Sequence, residues 1–129
     1  MKAKHTAGPW KVQWYPRSQT AEIETVTQEP GAYRHITNEL PMCAGVNSEV
    51  ELIPWEIEGK ETRHVRYSAE ACANARLMAA APEMLEALGS VFRMLLSPEP
   101  KTLKGYTQRC SFINRTVRNA LNKAEGSNL

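Results

Sequence analysis

His35-Ile36-Thr37 is an HxT triplet, and two such triplets facing each other can set two imidazoles around one phosphate. The other histidines do not complete the pair, because His5-Thr6-Ala7 and His64-Val65-Arg66 both lack the hydroxyl at the third position. The three histidines also lack the close spacing with which ligands gather on one metal ion. Carboxylates pair at Glu22/Glu24 and Glu49/Glu51, two residues apart, so each pair shares one face of a strand. Such a face is usually solvated; the alternative is a row of carboxylates that imitates a nucleic-acid backbone. No P-loop, GxGxxG, GxSxG or HExxH pattern occurs. The expectation is a protein without catalysis, metal or cofactor.

The more specific cluster is basic. Arg109, Phe112, Arg115, Asn119 and Asn122 recur at helical spacing, with Arg118 on the flank and Tyr106 one turn upstream. Arginine forks hold phosphate oxygens bidentately and stack on bases, and an aromatic ring supplies a second stacking plane. Arg63, Arg66 and Tyr67 end the segment before the helices and could close a pocket over that face. Asn74 and Arg76 could present polar groups there too; the plainer reading has Asn74 bonding backbone and Arg76 pairing a glutamate. The plain alternative for the whole set is a solvated helix face.

These groups sit on an unevenly charged chain. Residues 18–62 carry nine acids against Arg34 and Lys60, a net of −7, whereas residues 100–129 carry six bases against Glu125, a net of +5. Either the two parts face one another or one of them meets a charged partner. The overall charge of only +2 argues against a duplex nucleic acid as the partner. Cys43, Cys72 and Cys110 are odd in number and far apart, which points to reduced thiols and a cytoplasmic protein. No apolar run approaches the length of a membrane span, and MKAK is not followed by the apolar core of a signal peptide.

Positioning these residues falls to two kinds of element in a single domain. Residues 1–67 read as strand: PWKVQWY, TAEIETVT, YRHIT, MCAGV, SEVELI and TRHVRY are aromatic or β-branched runs broken by Pro16, Glu29-Pro30-Gly31 and Glu58-Gly59-Lys60. Val50 and Leu52 are expected on one face of SEVELI, with Glu49, Glu51 and Ile53 on the other. Pro54 should demote WEIE to an edge or a bulge. Residues 68–125 read as helix. Ser68 is a good N-cap, Glu70 suits the first turn, and Pro82 forces a kink or a restart. Leu85, Leu88, Phe92 and Leu95 then repeat at 3–4–3 spacing, and Leu103, Tyr106, Cys110, Ile113, Val117, Ala120 and Ala124 form the stripe expected to pack on a partner helix. Residues 126–129 read as a frayed tail. The predicted fold is α+β, an antiparallel sheet of five or six strands followed by a C-terminal helical hairpin. Surplus apolar surface at Met78, Met84, Phe92 and Met94 predicts a homo-oligomer, most simply a dimer.

Two segments carry a resemblance. His5-Thr6-Ala7-Gly8-Pro9-Trp10 resembles the HTPGPW opening of a widespread group of small phage and prophage proteins, and residues 73–88, ANARLMAAAPEMLEAL, resemble that group's ANARLIAAAPELLEAL segment. The departures are Ala7 for proline and methionine at positions 78 and 84. Membership implies an accessory phage protein. At the level of architecture, a sheet followed by two helices is similar to the phage anti-Thoeris sponges, which sequester cyclic ADP-ribose signals and in some members cyclic oligonucleotides. That similarity implies a base sandwiched by arginines and an aromatic residue, a part that Arg109, Phe112 and Arg115 could play. The expected function is counter-defence: sequestration of an anionic cyclic nucleotide signal without cleavage. The alternative is an anti-CRISPR-like inhibitor that binds a host defence complex through the acidic sheet or the exposed helices.

Overall fold

The computed structural model describes residues 5–27, 29, 31–57, 59 and 61–126. Strands β1 (Trp10–Tyr15), β2 (Thr20–Thr25), β3 (Leu40–Pro41), β4 (Val50–Ile57) and β5 (Glu61–Ser68) precede helices α1 (Ala69–Ala79), α2 (Ala81–Leu96) and α3 (Leu103–Glu125). The α+β class and the antiparallel strands are as expected, but the five strands form two sheets: β1-β2-β3, and the ribbon β4-β5.

Alternation sorts the faces of the first sheet. Trp10, Val12 and Trp14 on β1 stand opposite Thr25, Ile23 and Ala21 on β2. Ala21 and Ile23 are fully buried, with the three β1 side chains packed around them. Lys11, Gln13 and Tyr15 oppose Glu24, Glu22 and Thr20 on the outer face. YRHIT does not form the expected strand. It runs beside β2 through one bridge, Glu24 to His35, supported by Ile36 N donating to Ile23 O at 2.7 Å. MCAGV likewise contributes only a bridge from Cys43 to Tyr67, because β3 stops at Pro41.

In the ribbon the faces of β4 divide as expected, and it is the face of Glu51 and Ile53 that turns to the core. Ile53 is buried and Leu52 is 57% exposed. Glu51 pairs across the strands with Tyr67, and Ile53 with Val65. Glu51 can share a face with core residues because Arg76 on α1 reaches it with both guanidinium nitrogens. Pro54 pairs with His64 without ending β4. In a two-stranded ribbon one side of every strand is free of ladder bonds, so a missing N–H on that side costs little. The Glu58-Gly59-Lys60 turn falls partly outside the described residues; Gly59 itself has a φ of 70°. Residues 127–129 of the predicted tail lie outside them as well.

α1 lies between the sheets and α3, in contact with β1, β2, β4 and β5. Cys72, Ala75 and Ala79 recur along one face and are buried, so the helix backbone comes close to the strands. Ser68 caps the helix by accepting from Ala71 N at 3.3 Å. At Ala80 the chain turns and α2 begins anew, with Pro82 in its first turn where no backbone donor is needed. Thr102 caps α3 through Gly105 N, and Gly126 ends it at a φ of 69°. α2 and α3 run antiparallel, tied near one end by Arg109 donating to the Met94 carbonyl and near the other by Lys123 and Glu83 at 2.5 Å.

The core that results is thin. Among the described residues, six of the eleven buried apolar side chains are alanines. Most of the large apolar side chains of the hairpin therefore lie outside it.

Candidate functional site

The structure distributes the basic set rather than gathering it. α3 presents Gly105, Arg109, Phe112, Thr116, Ala120 and Lys123 inward, all buried or half-buried. This face is turned by roughly 90°, at about 100° per residue, from the stripe expected to pack. Arg109 and Phe112 thus belong to the hairpin seam, where Arg109 is occupied by the Met94 carbonyl. Arg115 and Arg118 remain exposed on the far side. Tyr106 is 44% exposed and donates to Glu99 at 3.4 Å.

The residues expected to close a pocket separate in the same way. Arg63 and Arg66 are exposed on β5, whereas Tyr67 is wholly buried and donates its hydroxyl to Thr20 O at 3.2 Å. Tyr67 is a core residue with no surface for a ligand, which corrects the expectation that it closes a site. Asn74 is exposed. Arg76 takes its structural role: its fork grips Glu51 and its guanidinium lies 5.8 Å from the Trp14 ring centroid. The Glu51 carboxyl is held below its ordinary value, chiefly by the hydrogen bonds from Arg76, against the opposing effect of burial. Glu51 therefore cannot serve with Glu49 as a free acidic pair.

The most organised polar cluster is on the outer face of the three-stranded sheet. His35 Nδ1 lies 2.8 Å from Glu22 Oε2 and 4.0 Å from Glu24 Oε1. Tyr15 donates to Glu24 Oε1 at 2.7 Å, and Tyr33 stands edge-on to the His35 ring with centroids 5.0 Å apart. Burial alone would raise the Glu24 pKa, but the hydroxyls of Tyr33 and Tyr15 outweigh it and hold the carboxyl below its ordinary value. Glu24 thus stays ionised although it is only 3% exposed. Lys11, directly across the strands, adds to that effect. Glu22, His35, Thr37, Asn38 and Glu39 line a shallow polar depression beside the cluster. Glu22, Glu24 and His35 have the donor types of a carboxylate–imidazole metal set. Here those donors are already engaged with one another and with tyrosine. Sequence reasoning saw the Glu22/Glu24 pair and the His35 triplet separately. What brings them together is the return of residues 33–37 along β2, and the local strand pattern of YRHIT does not say which strand it will lie beside.

The two segments that carry the phage resemblance meet in space. Gly8 lies against the ring of Pro82, and His5, Pro9, Glu83 and Glu86 surround the junction.

Fold and surfaces together define a small α+β protein with a polar patch on its sheet and a helical hairpin whose outer side is apolar. A family model described as Salmonella phage P22 protein Y8K6 matches residues 1–128, and the chain belongs to that family. It is a phage protein. No curated protein and no solved structure matches the chain. Among the described residues, no helix is long and apolar enough to cross a membrane.

Proposed function

We propose that this phage-family protein is a non-catalytic counter-defence factor that binds a host defence protein in the host cytoplasm and blocks its basic surface. The observation that carries this reading is the convergence of Glu22 and Glu24 on His35, with the Tyr15 hydroxyl fixed on Glu24 at 2.7 Å. Glu24, only 3% exposed, anchors the patch from within, while Glu22, held in place by His35, loses little freedom on binding and can stand where a phosphate stands in a nucleic-acid groove. Exposed Glu39 extends the patch, and Tyr33, 42% exposed, supplies an aromatic edge at its rim.

Sequestration of a cyclic nucleotide is the second reading. It is supported by the exposed cations Arg66, Arg115 and Arg118. It is weakened by the engagement of Arg76 and Arg109 within the fold and by the burial of Tyr67. One assay separates the two. Glu22→Lys with Glu39→Lys should abolish phage protection on a defended host, while Arg115→Glu with Arg118→Glu should leave it intact. The reverse result selects the nucleotide reading, and calorimetry against cyclic ADP-ribose isomers and cyclic di- and trinucleotides would then identify the ligand. If neither double variant alters protection, both readings fall.

A further inference from the structure

α2 has an apolar face that nothing in the described chain covers. Leu85, Leu88, Phe92, Leu95 and Leu96 are between 55% and 71% exposed. The inward side of the same helix is taken by Met84, Ala87, Val91 and Met94, all buried or half-buried. The five exposed side chains fall within an arc of about 100°, the width of a face made to be buried. At on the order of 100 Å² each they amount to about 500 Å² of apolar surface, near the top of the range for the largest patch on a monomer and of the size that marks an interaction site. The face continues onto α3. An open groove of about 220 Å³ with a wholly apolar lining runs between Leu88 and Val91 of α2 and Val117 and Leu121 of α3. With it, the surface comes to roughly 600 Å² per partner, at the lower end of stable interfaces.

We infer that this face joins two copies of the chain in a twofold dimer, with α2 packed antiparallel on its counterpart near Ser90. The support is the self-complementarity of the helix about that residue. Reversal about position 90 sets Leu85 opposite Leu95 and Leu88 opposite Phe92, two apolar pairs on either side of Ser90. Glu86 and Arg93 lie on one flank of the stripe and both are exposed. In an antiparallel twofold pair like flanks meet, so Glu86 of each copy comes within one residue of the level of Arg93 in the other. A parallel twofold pair would instead place the two copies of this flank on opposite sides of the seam, where Glu86 and Arg93 could not meet. The Arg93 side chain already folds back over Gly89 and donates to Ser90 Oγ at 3.2 Å, which keeps its charge on that flank. This inference goes beyond the proposed host partner and is independent of it. The dimer would offer the sheet patch twice, which favours binding to a repeated or oligomeric target.

Light scattering after size exclusion, with sedimentation equilibrium, tests it at about 50 μM chain. The wild-type chain should have the mass of two copies. Leu88→Glu with Phe92→Glu should have the mass of one, with an unchanged far-ultraviolet dichroism spectrum and a dissociation constant raised at least about 100-fold. Glu86→Arg and Arg93→Glu should each weaken the dimer roughly tenfold, and the two together should restore it. A wild-type chain that runs as one copy overturns the dimer, including the case in which a host protein occupies the face. A dimer that survives Leu88→Glu with Phe92→Glu places the contact elsewhere and also overturns it. A charge-swapped double variant no tighter than either single one overturns the antiparallel arrangement.

Discussion

Gly8 and Pro82 lie so close that a Cβ on Gly8 would stand 2.5 Å from the Pro82 Cβ and 2.9 Å from its Cγ. The contact joins the segment before β1 to the first turn of α2, and it requires a residue without a side chain at position 8. Gly8→Ala should therefore cost about 1–3 kcal/mol, as overpacking of a tight contact does. Thermal or urea unfolding measures it. In a Pro82→Gly background the same substitution should cost much less, because the opposing ring is gone. An equal cost in both backgrounds would show that the two residues are not coupled.

The Glu51–Arg76 pair predicts a second effect. Each side chain is about one-third exposed, at 34% and 27%, so solvent screens part of the interaction. Arg76→Ala should destabilise by about 1–2 kcal/mol, and Arg76→Lys should recover only part of that, since an ammonium cannot make the two-pronged contact. The sign of the pH dependence follows from the lowered Glu51 pKa. The contribution is present above the ordinary value of 4.5 and is lost as pH falls from there through the folded-state value. Denaturant titrations from neutral pH into acid should show a shallower fall for Glu51→Gln than for the wild type.

At the other end of the pH scale, Tyr15 and Tyr33 should resist ionisation. Their hydrogen bonds to Glu24 raise both pKa values above the ordinary 10.0, that of Tyr33 to about 12. The unfolded chain loses these protons first, so their contribution is full below pH 10 and declines as pH rises towards the folded-state values. Absorbance at phenolate wavelengths should show Tyr33 titrating late, and Glu24→Gln should bring its midpoint down. A midpoint that does not move would separate Tyr33 from Glu24.

Thiol reactivity supplies a fourth check. Cys72 is fully buried, and burial, with the nearby Glu51 charge, pushes its pKa up to about 11. Cys43 is exposed, its thiol 2.9 Å from Gln19 Oε1. A chromogenic disulfide at pH 8 should label Cys43 within minutes and leave Cys72 unmodified until denaturant is added. Mass spectrometry of the labelled protein identifies the site. Rapid labelling of Cys72 would mean that α1 separates from the sheets in the native state.

Helix ends and strand runs were legible because their causes are local. The Ser68 cap, the restart at Pro82 and the Trp10–Tyr15 and Thr20–Thr25 strands each depend on a few neighbouring residues. YRHIT failed as a strand because pairing needs a partner edge, and beside β2 it finds only the bridge at His35. Glu51 could not be assigned to the core side of β4 without knowing that Arg76, 25 residues later, would neutralise it.

By itself, then, the sequence determined the order of the main strands and helices, the helix starts at Ser68 and Pro82, the α+β class and the presence of more apolar surface than one small core can bury. Caps, prolines and side-chain period are short-range energies, and they do not depend on the final packing. Only the tertiary structure decided which apolar stripe faces inward, that Tyr67 lies in the core and that Glu22, Glu24 and His35 meet. A hydrophobic period records that a face is buried but not by what. On α3 the covering surface is partly α2, which turns Arg109 and Phe112 inward. On α2 the leucine stripe is left in water, where a second copy can meet it.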